Sequence, residues 1–196
     1  MTPDFDHPGA QVKSPAKLAH VVLRTNQLSP MVAFYKTFLG ASVTFESASM
    51  AFLTYDDEHH RIALLDVPGT RPKVPSSCGL EHIAFTFASL SDLALAYRQR
   101  KALGVLPIWC VNHGPTTSMY YRDPDGNQLE AQVDNFETAE AAKAFMMGKA
   151  FEENPVGTDF DPEELVRRLQ NGENEEVVKR RVEIGRRGFE TVPLIA

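Results

Sequence analysis

The chain repeats itself. LAHVVLRTNQLSPMVAFYKTFLG, beginning at Leu18, and LEHIAFTFASLSDLALAYRQRKALG, beginning at Leu80, run in register at a separation of 62 positions. His20 matches His82, Leu28-Ser29 matches Leu90-Ser91, and Tyr35 matches Tyr97. Each copy reads as a short apolar strand and then a helix that closes at a glycine, Gly40 or Gly104. A small module of this kind cannot cover both faces of its own sheet, so two copies must bury surface together.

Local chemistry extends the pattern. Ser29 and Ser91 are expected to cap the two helices, and Pro30 suits a first helical position because it lacks the N–H that would go unpaired there. Met31, Tyr35, Phe38 and Leu39 fall at helical spacing, whereas the charges from Arg98 to Lys101 predict a shorter buried face on the second helix. Three strand-like runs follow each helix: ASVTFES, MAFLTYD and RIALLDV, then VLPIWCV, TSMYYRD and NQLEAQV. DPDG is the clearest turn. The expected fold class is α+β: two βαβββ modules, 17–67 and 79–134, forming a half-open mixed β-barrel. An N-terminal arm, 1–16, precedes this 17–134 domain, and a helical C-terminal extension, 135–196, follows it.

Composition narrows the function. The 196 residues carry 26 acidic and 20 basic side chains, a net charge of −6, with no basic stripe, which argues against nucleic acid as a partner. No apolar run is long enough for a signal peptide or a membrane span, so the expected location is cytoplasmic. Two cysteines without a CxxC supply neither a disulfide framework nor a thiolate zinc site.

Strand alternation then sorts the polar residues. In NQLEAQVD, Leu129, Ala131 and Val133 point one way, and Gln128, Glu130, Gln132 and Asp134 the other. If the apolar sides pack on the helices, His20, His82 and Glu130 point into the enclosed cavity. Two imidazoles and a carboxylate form the donor set of non-haem Fe(II) sites with open positions, though Mn(II) and Zn(II) accept the same donors. Aligning the closing strands on Asp66 and Asp134 sets Ile62, which cannot bind metal, opposite Glu130.

The run from His113 to Glu130, HGPTTSMYYRDPDGNQLE, carries further fixed spacing: His113, Met119-Tyr120, Asp123, Pro124, Gly126 and Glu130. In these residues the chain resembles the vicinal oxygen chelate superfamily, and within it the type I extradiol ring-cleaving dioxygenases in their single-domain form. The resemblance covers roughly Lys17 to Asp134. It implies His20, His82 and Glu130 as metal ligands and Fe(II) as the cofactor, with Mn(II) as the alternative. It implies His60, the second of two adjacent histidines, as the acid/base residue. Tyr120 would be the hydrogen-bond partner of a substrate oxygen, favoured over Tyr121 by the spacing to Asp123-Pro124, and His113 a further substrate-facing histidine. The implied reaction is cleavage of a catechol-type ring beside its vicinal diol by O2, in a homo-oligomer, most simply a dimer. Two rival functions share the fold: a glyoxalase-like isomerase or thiol transferase, and a metal-free protein that sequesters small molecules.

The C-terminal extension reads as helices over Phe136 to Phe151, from Asp161-Pro162 to Asn171-Gly172, and across NEEVVKRRVEIGRRG. It is expected to act as a dimer arm, as a lid over the substrate mouth, or as plain cover for a sheet edge. Phe151, Val156 and Phe160 are candidates for an entrance, and Trp109, Phe85, Phe87 and Met119 for setting cavity size.

Overall fold

The computed structural model describes residues 4–7 and 9–193. The first module runs β1 (Val21–Thr25), α1 (Leu28–Leu39), β2 (Ser42–Glu46), β3 (Met50–Thr54) and β4 (Ile62–Asp66). The second runs β5 (His82–Thr86), α2 (Leu90–Ala102), β6 (Trp109–Asn112), β7 (Thr116–Arg122) and β8 (Gln128–Asp134). Each module folds into its own mixed sheet, ordered β1-β4-β3-β2 and β5-β8-β7-β6, with the first and last strands parallel. Among the described residues no strand pairing joins the two sheets, so a continuous half-barrel does not form from backbone pairing within the chain. β1 and β5 are edge strands.

The helix limits depart from expectation in instructive ways. α1 begins at Leu28, behind Gln27, and Ser29 lies inside the first turn rather than capping it. In α2 the cap is Ser89, whose hydroxyl accepts from the Asp92 amide at 3.0 Å, while Ser91 is free to bond Glu175. Both helices end as the glycines require. Gly40 adopts φ 63°, and Gly104, at φ 79°, lets the Val105 amide reach the Arg100 carbonyl and its own amide reach Lys101.

The buried face of α2 is longer than its charges imply, because Arg100 is buried with the apolar residues. Its Nε donates to the Phe38 carbonyl of α1 at 2.8 Å, and its guanidinium lies 4.1 Å from the Phe38 ring centre and 5.2 Å from that of Tyr121. The planar cation is weakly hydrated and accepts aromatic faces as partners, so it spans the module joint where a lysine would be costly. A second tie is the Tyr35 hydroxyl, which donates to Asp123 Oδ2 at 3.0 Å. Asp123 also accepts from the Asp125 and Asn127 amides and from Asn127 Nδ2, so one buried carboxylate holds both the DPDG turn and the opposite module.

The C-terminal extension, α3 (Ala139–Met146), α4 (Lys149–Glu153), β9 (Thr158–Asp159), α5 (Pro162–Gln170) and α6 (Glu175–Val178), belongs to the second module. β9 pairs with β6 and makes that sheet five-stranded, which covers the edge as expected. Gly157 allows this approach: a Cβ there would meet the Asn112 carbonyl oxygen at 2.2 Å. Gly148 divides the first expected helix into α3 and α4. α5 starts at its Asp161 cap, and Glu163 on it binds Tyr97, Arg98 and Lys101 of α2, which hold its carboxyl down at about 2. The last expected helix forms only over α6. Beyond it the chain is an irregular strap, because Arg181 and Arg187 spend their donors on other segments.

Replacing Tyr35 with Phe removes one charge-assisted bond from a buried carboxylate. We expect a loss of about 1–3 kcal/mol in denaturant unfolding at neutral pH, with the midpoint shifting and the slope unchanged.

Candidate active site

Register across β5, β8 and β7 builds the cavity wall. Ala84 faces Glu130 across the parallel pair, and Tyr120 faces Glu130 across the antiparallel pair, so all three share a side. His82 lies two residues before Ala84 on that side, and its Nε2 meets Glu130 Oε2 at 3.0 Å. Burial alone would raise the Glu130 carboxyl, but hydrogen bonds from His82 and Ser118 hold it below its ordinary value. The Glu130 bond correspondingly raises His82, against its own partial burial.

Tyr120 and Tyr121 point to opposite sides, as pleating requires. Tyr121 is fully buried in the core against Phe38. Tyr120 stacks on Trp109 at 5.0 Å and lies edge-on to His82 at 5.5 Å. Its hydroxyl is 2.9 Å from His113 Nε2, and His113 Nδ1 faces the Val156 carbonyl. A carbonyl can only accept, so Nδ1 carries the ring proton, Nε2 is the acceptor, and the Tyr120 hydroxyl donates to it. Burial pushes the His113 pKa down, and burial and then the Glu130 charge push the Tyr120 phenol up. At neutral pH both are uncharged.

His20 and His60 lie on the first module. Their rings are 4.3 Å apart, and His60 stacks at 4.7 Å on Phe52. His59 joins the cluster: its Nδ1 is 2.6 Å from His60 Nδ1, while its carbonyl accepts from Thr44. Partial burial, then His20 and His59, lower the His60 pKa. Among the described residues no group of three His, Cys, Asp or Glu is close enough to hold a metal ion. The chain thus brings His82, Glu130, Tyr120 and His113 together and keeps His20 and His60 in a separate cluster.

The register corrects the fourth corner. Val22, which matches Ala84 in the repeat, pairs with Ala63, so Ala63 rather than Ile62 corresponds to Glu130. Ile62 corresponds to Leu129 and is buried in the core. Alignment on the closing aspartates fails because the two β4-type strands differ in length after the paired segment. By the same logic Phe52 is the counterpart of Tyr120, since it faces Ala63.

A cavity of about 240 Å³ opens beside this wall, lined by His82, His113 and Tyr120 together with Trp109, Val156, Phe189 and Val192. Of the residues expected to set its size only Trp109 does so, because Phe85, Phe87 and Met119 belong to the core between the modules. Val156 lines it as expected, whereas Phe160 packs on the core and Phe151 on Phe145. Phe189 and Val192 went unforeseen, since RRGFETV carries no strand or helix signature.

The family model for the Glyoxalase/Bleomycin resistance protein/Dioxygenase superfamily matches residues 17–131. The chain belongs to this superfamily. Two curated relatives from Rhodococcus globerulus are similar over most of their length. Biphenyl-2,3-diol 1,2-dioxygenase 2 is 45% identical over 80% of this chain and 83% of its own. Biphenyl-2,3-diol 1,2-dioxygenase 3 is 46% identical with the same coverage. Among solved structures, the fosfomycin resistance protein FosX from Listeria monocytogenes aligns at TM-score 0.50 and 22% identity, covering 66% of this chain and 99% of its own. Lactoylglutathione lyase from Agrobacterium tumefaciens aligns at TM-score 0.50 and 19% identity, covering 62% and 96%. These two share the fold, which lies within this chain's first two-thirds. No described helix is long and apolar enough to cross a membrane.

His113 should keep its neutral Nδ1–H form across the physiological range. A ¹⁵N-detected titration should place its midpoint below the ordinary imidazole value of about 6.5; a midpoint at that value would mean the ring faces solvent, and one above it that a carboxylate dominates.

Proposed function

We propose that this protein is an Fe(II)-dependent extradiol dioxygenase that opens a catechol-type ring beside its two hydroxyls with O2. The observation that carries the reading is the 45–46% identity to two biphenyl-2,3-diol 1,2-dioxygenases across four-fifths of the chain. It is supported by a wall that places an imidazole, a carboxylate and a phenol–imidazole pair on one side of a sheet.

The donors suit a ferrous ion. His82 and Glu130 converge to 3.0 Å, and imidazole with carboxylate is the mixed set that leaves positions open for substrate and O2. His20 is the third ligand of the reading. The chain does not bring it to the other two, and we assign it to a second copy, whose module closes the half-barrel over this wall. The open side of the first module favours such a partner. Val22 on edge strand β1 and Phe45 on β2 are each 48% exposed, unusual for apolar strand residues beside a histidine cluster. In this dimer each site takes His20 and His60 from one copy and His82, Glu130, Tyr120 and His113 from the other.

Bound there, the iron would supply a Lewis-acidic centre able to pass electrons between diol and O2. The remaining work belongs to the side chains. The Tyr120 hydroxyl lies between His113 Nε2 and the Glu130 carboxylate, and its oxygen would accept from a substrate hydroxyl. A substrate proton can pass to the Tyr120 oxygen as the Tyr120 proton passes to His113, leaving the phenol neutral and His113 charged. The Glu130 charge nearby favours that imidazolium. His60, whose pKa is lowered, would in this dimer take a proton from the opposite side and return it during ring opening.

Mixing two inactive variants tests both reaction and assembly. His20→Ala and His82→Ala should each lose iron and catechol turnover, followed as a yellow ring-opened product and O2 uptake. Co-refolded in equal amounts, they should recover about a quarter of wild-type activity, because half the dimers are mixed and each holds one intact site. No recovery, with both variants dimeric, places all ligands within one chain. A wild-type protein loaded anaerobically with Fe(II) that leaves catechols uncleaved in air refutes the dioxygenase reading.

A further inference from the structure

Resting on the dioxygenase reading, we infer that the C-terminal strap from Arg187 to Val192 forms the receiving wall for an aryl substituent on the diol, with Phe189 and Val192 setting the preference for biaryl over monocyclic substrates. These residues lie beyond the segment shared with the superfamily model. The strap is built against the site rather than left over from the fold. Arg187 forms a two-point pair with Asp159, Nη1 to Oδ1 at 2.7 Å and Nη2 to Oδ2 at 3.0 Å. Its Nη1 also donates to the Gly157 carbonyl, and its Nε to Thr191 Oγ1 at 3.0 Å. Trp109 Nε1 donates to the same Asp159 Oδ1 at 2.8 Å. One carboxylate therefore fixes the indole and the strap relative to each other.

The anchor leaves a specific surface open. Phe189 sits on a single 3₁₀ turn, Phe189–Thr191, and is 64% exposed, with its ring on the cavity that His82, His113 and Tyr120 also line. Val192 packs with the Trp109, Val111, Tyr120 and Val156 cluster. The volume is ample for a ring: an apolar cavity of about 150 Å³ already accepts benzene, and this one holds about 240 Å³. Trp109, Val156, Phe189 and Val192 present rings and methyl groups to an apolar substituent, while Glu81 and Gln128 are among the polar residues that line the same cavity. Hydroxyls bound at the His82–Glu130 side would direct a neighbouring aryl group onto these residues. A monocyclic catechol would gain nothing from them.

The test compares Phe189→Ala and Val192→Ala with the wild type, each loaded with Fe(II). The quantity read is kcat/KM for biphenyl-2,3-diol divided by that for catechol. Loss of one apolar wall residue should lower this ratio roughly tenfold, with Phe189→Leu recovering part of it. A second reading does not require turnover. Trp109 is the chain's single tryptophan, so its fluorescence under anaerobic, metal-free conditions reports an aryl group in the cavity. Biphenyl-2,3-diol should quench it saturably in the wild type, and with roughly tenfold weaker affinity in the two variants. Ratios and quench affinities within about twofold of wild type overturn the inference while leaving the dioxygenase reading standing. A wild type that cleaves neither diol removes that reading, and the quench alone then decides whether the strap receives an aryl group.

Discussion

The Asp123 carboxylate is the joint on which the rest of the structure turns. It is buried, and burial raises its pKa, yet Asn127, Tyr35 and two turn amides surround it with donors. The turn that it closes connects β7 to β8, the two strands that carry Tyr120 and Glu130. The phenol it accepts from belongs to the other module. One residue thus links the turn of the cavity wall to the opposite module, reinforced by Gln27 on the same turn and by Arg100 against Phe38. A buried charge satisfied by several donors is costly to leave half-satisfied, which makes this packing hard to exchange for another.

Much of the architecture was legible in the sequence, for physical reasons. The duplication, the order of elements in each module and the glycine stops follow from alternation, helical spacing and left-handed turns, all local properties. The cap of the second helix differs from expectation because two serines stand near its start and only tertiary contacts decide between them: Ser91 is claimed by Glu175 and Ser89 is left to cap. Arg100 was misread because a charge was assumed to be solvated, and no pattern announces a cage of aromatic rings.

The site was legible residue by residue but not as an assembly. Alternation placed His82 and Glu130 on one side, the family spacing chose Tyr120 over Tyr121, and the register sets Tyr120 opposite Glu130. Alternation could not say whether His20 reaches them, because that depends on how the two sheets meet, which no local pattern fixes. The fourth corner moved from Ile62 to Ala63 once strand pairing replaced sequence alignment. The two modules also kept different halves of the chemistry. The second has Tyr120 facing Glu130 and the first has Phe52 facing Ala63, so the equivalent aromatic position carries no hydroxyl where the carboxylate is absent. What remains on the first side is a ring for His60 to lie on.

Arg181 gives the extension a reach beyond cover. Its buried guanidinium donates to the carbonyl of His113 itself, and to those of Asn154 and Ala150. The backbone that steers the imidazole is therefore fastened by the same tail that carries Phe189. A shift of the tail would thus move the apolar cavity wall and the His113 backbone together.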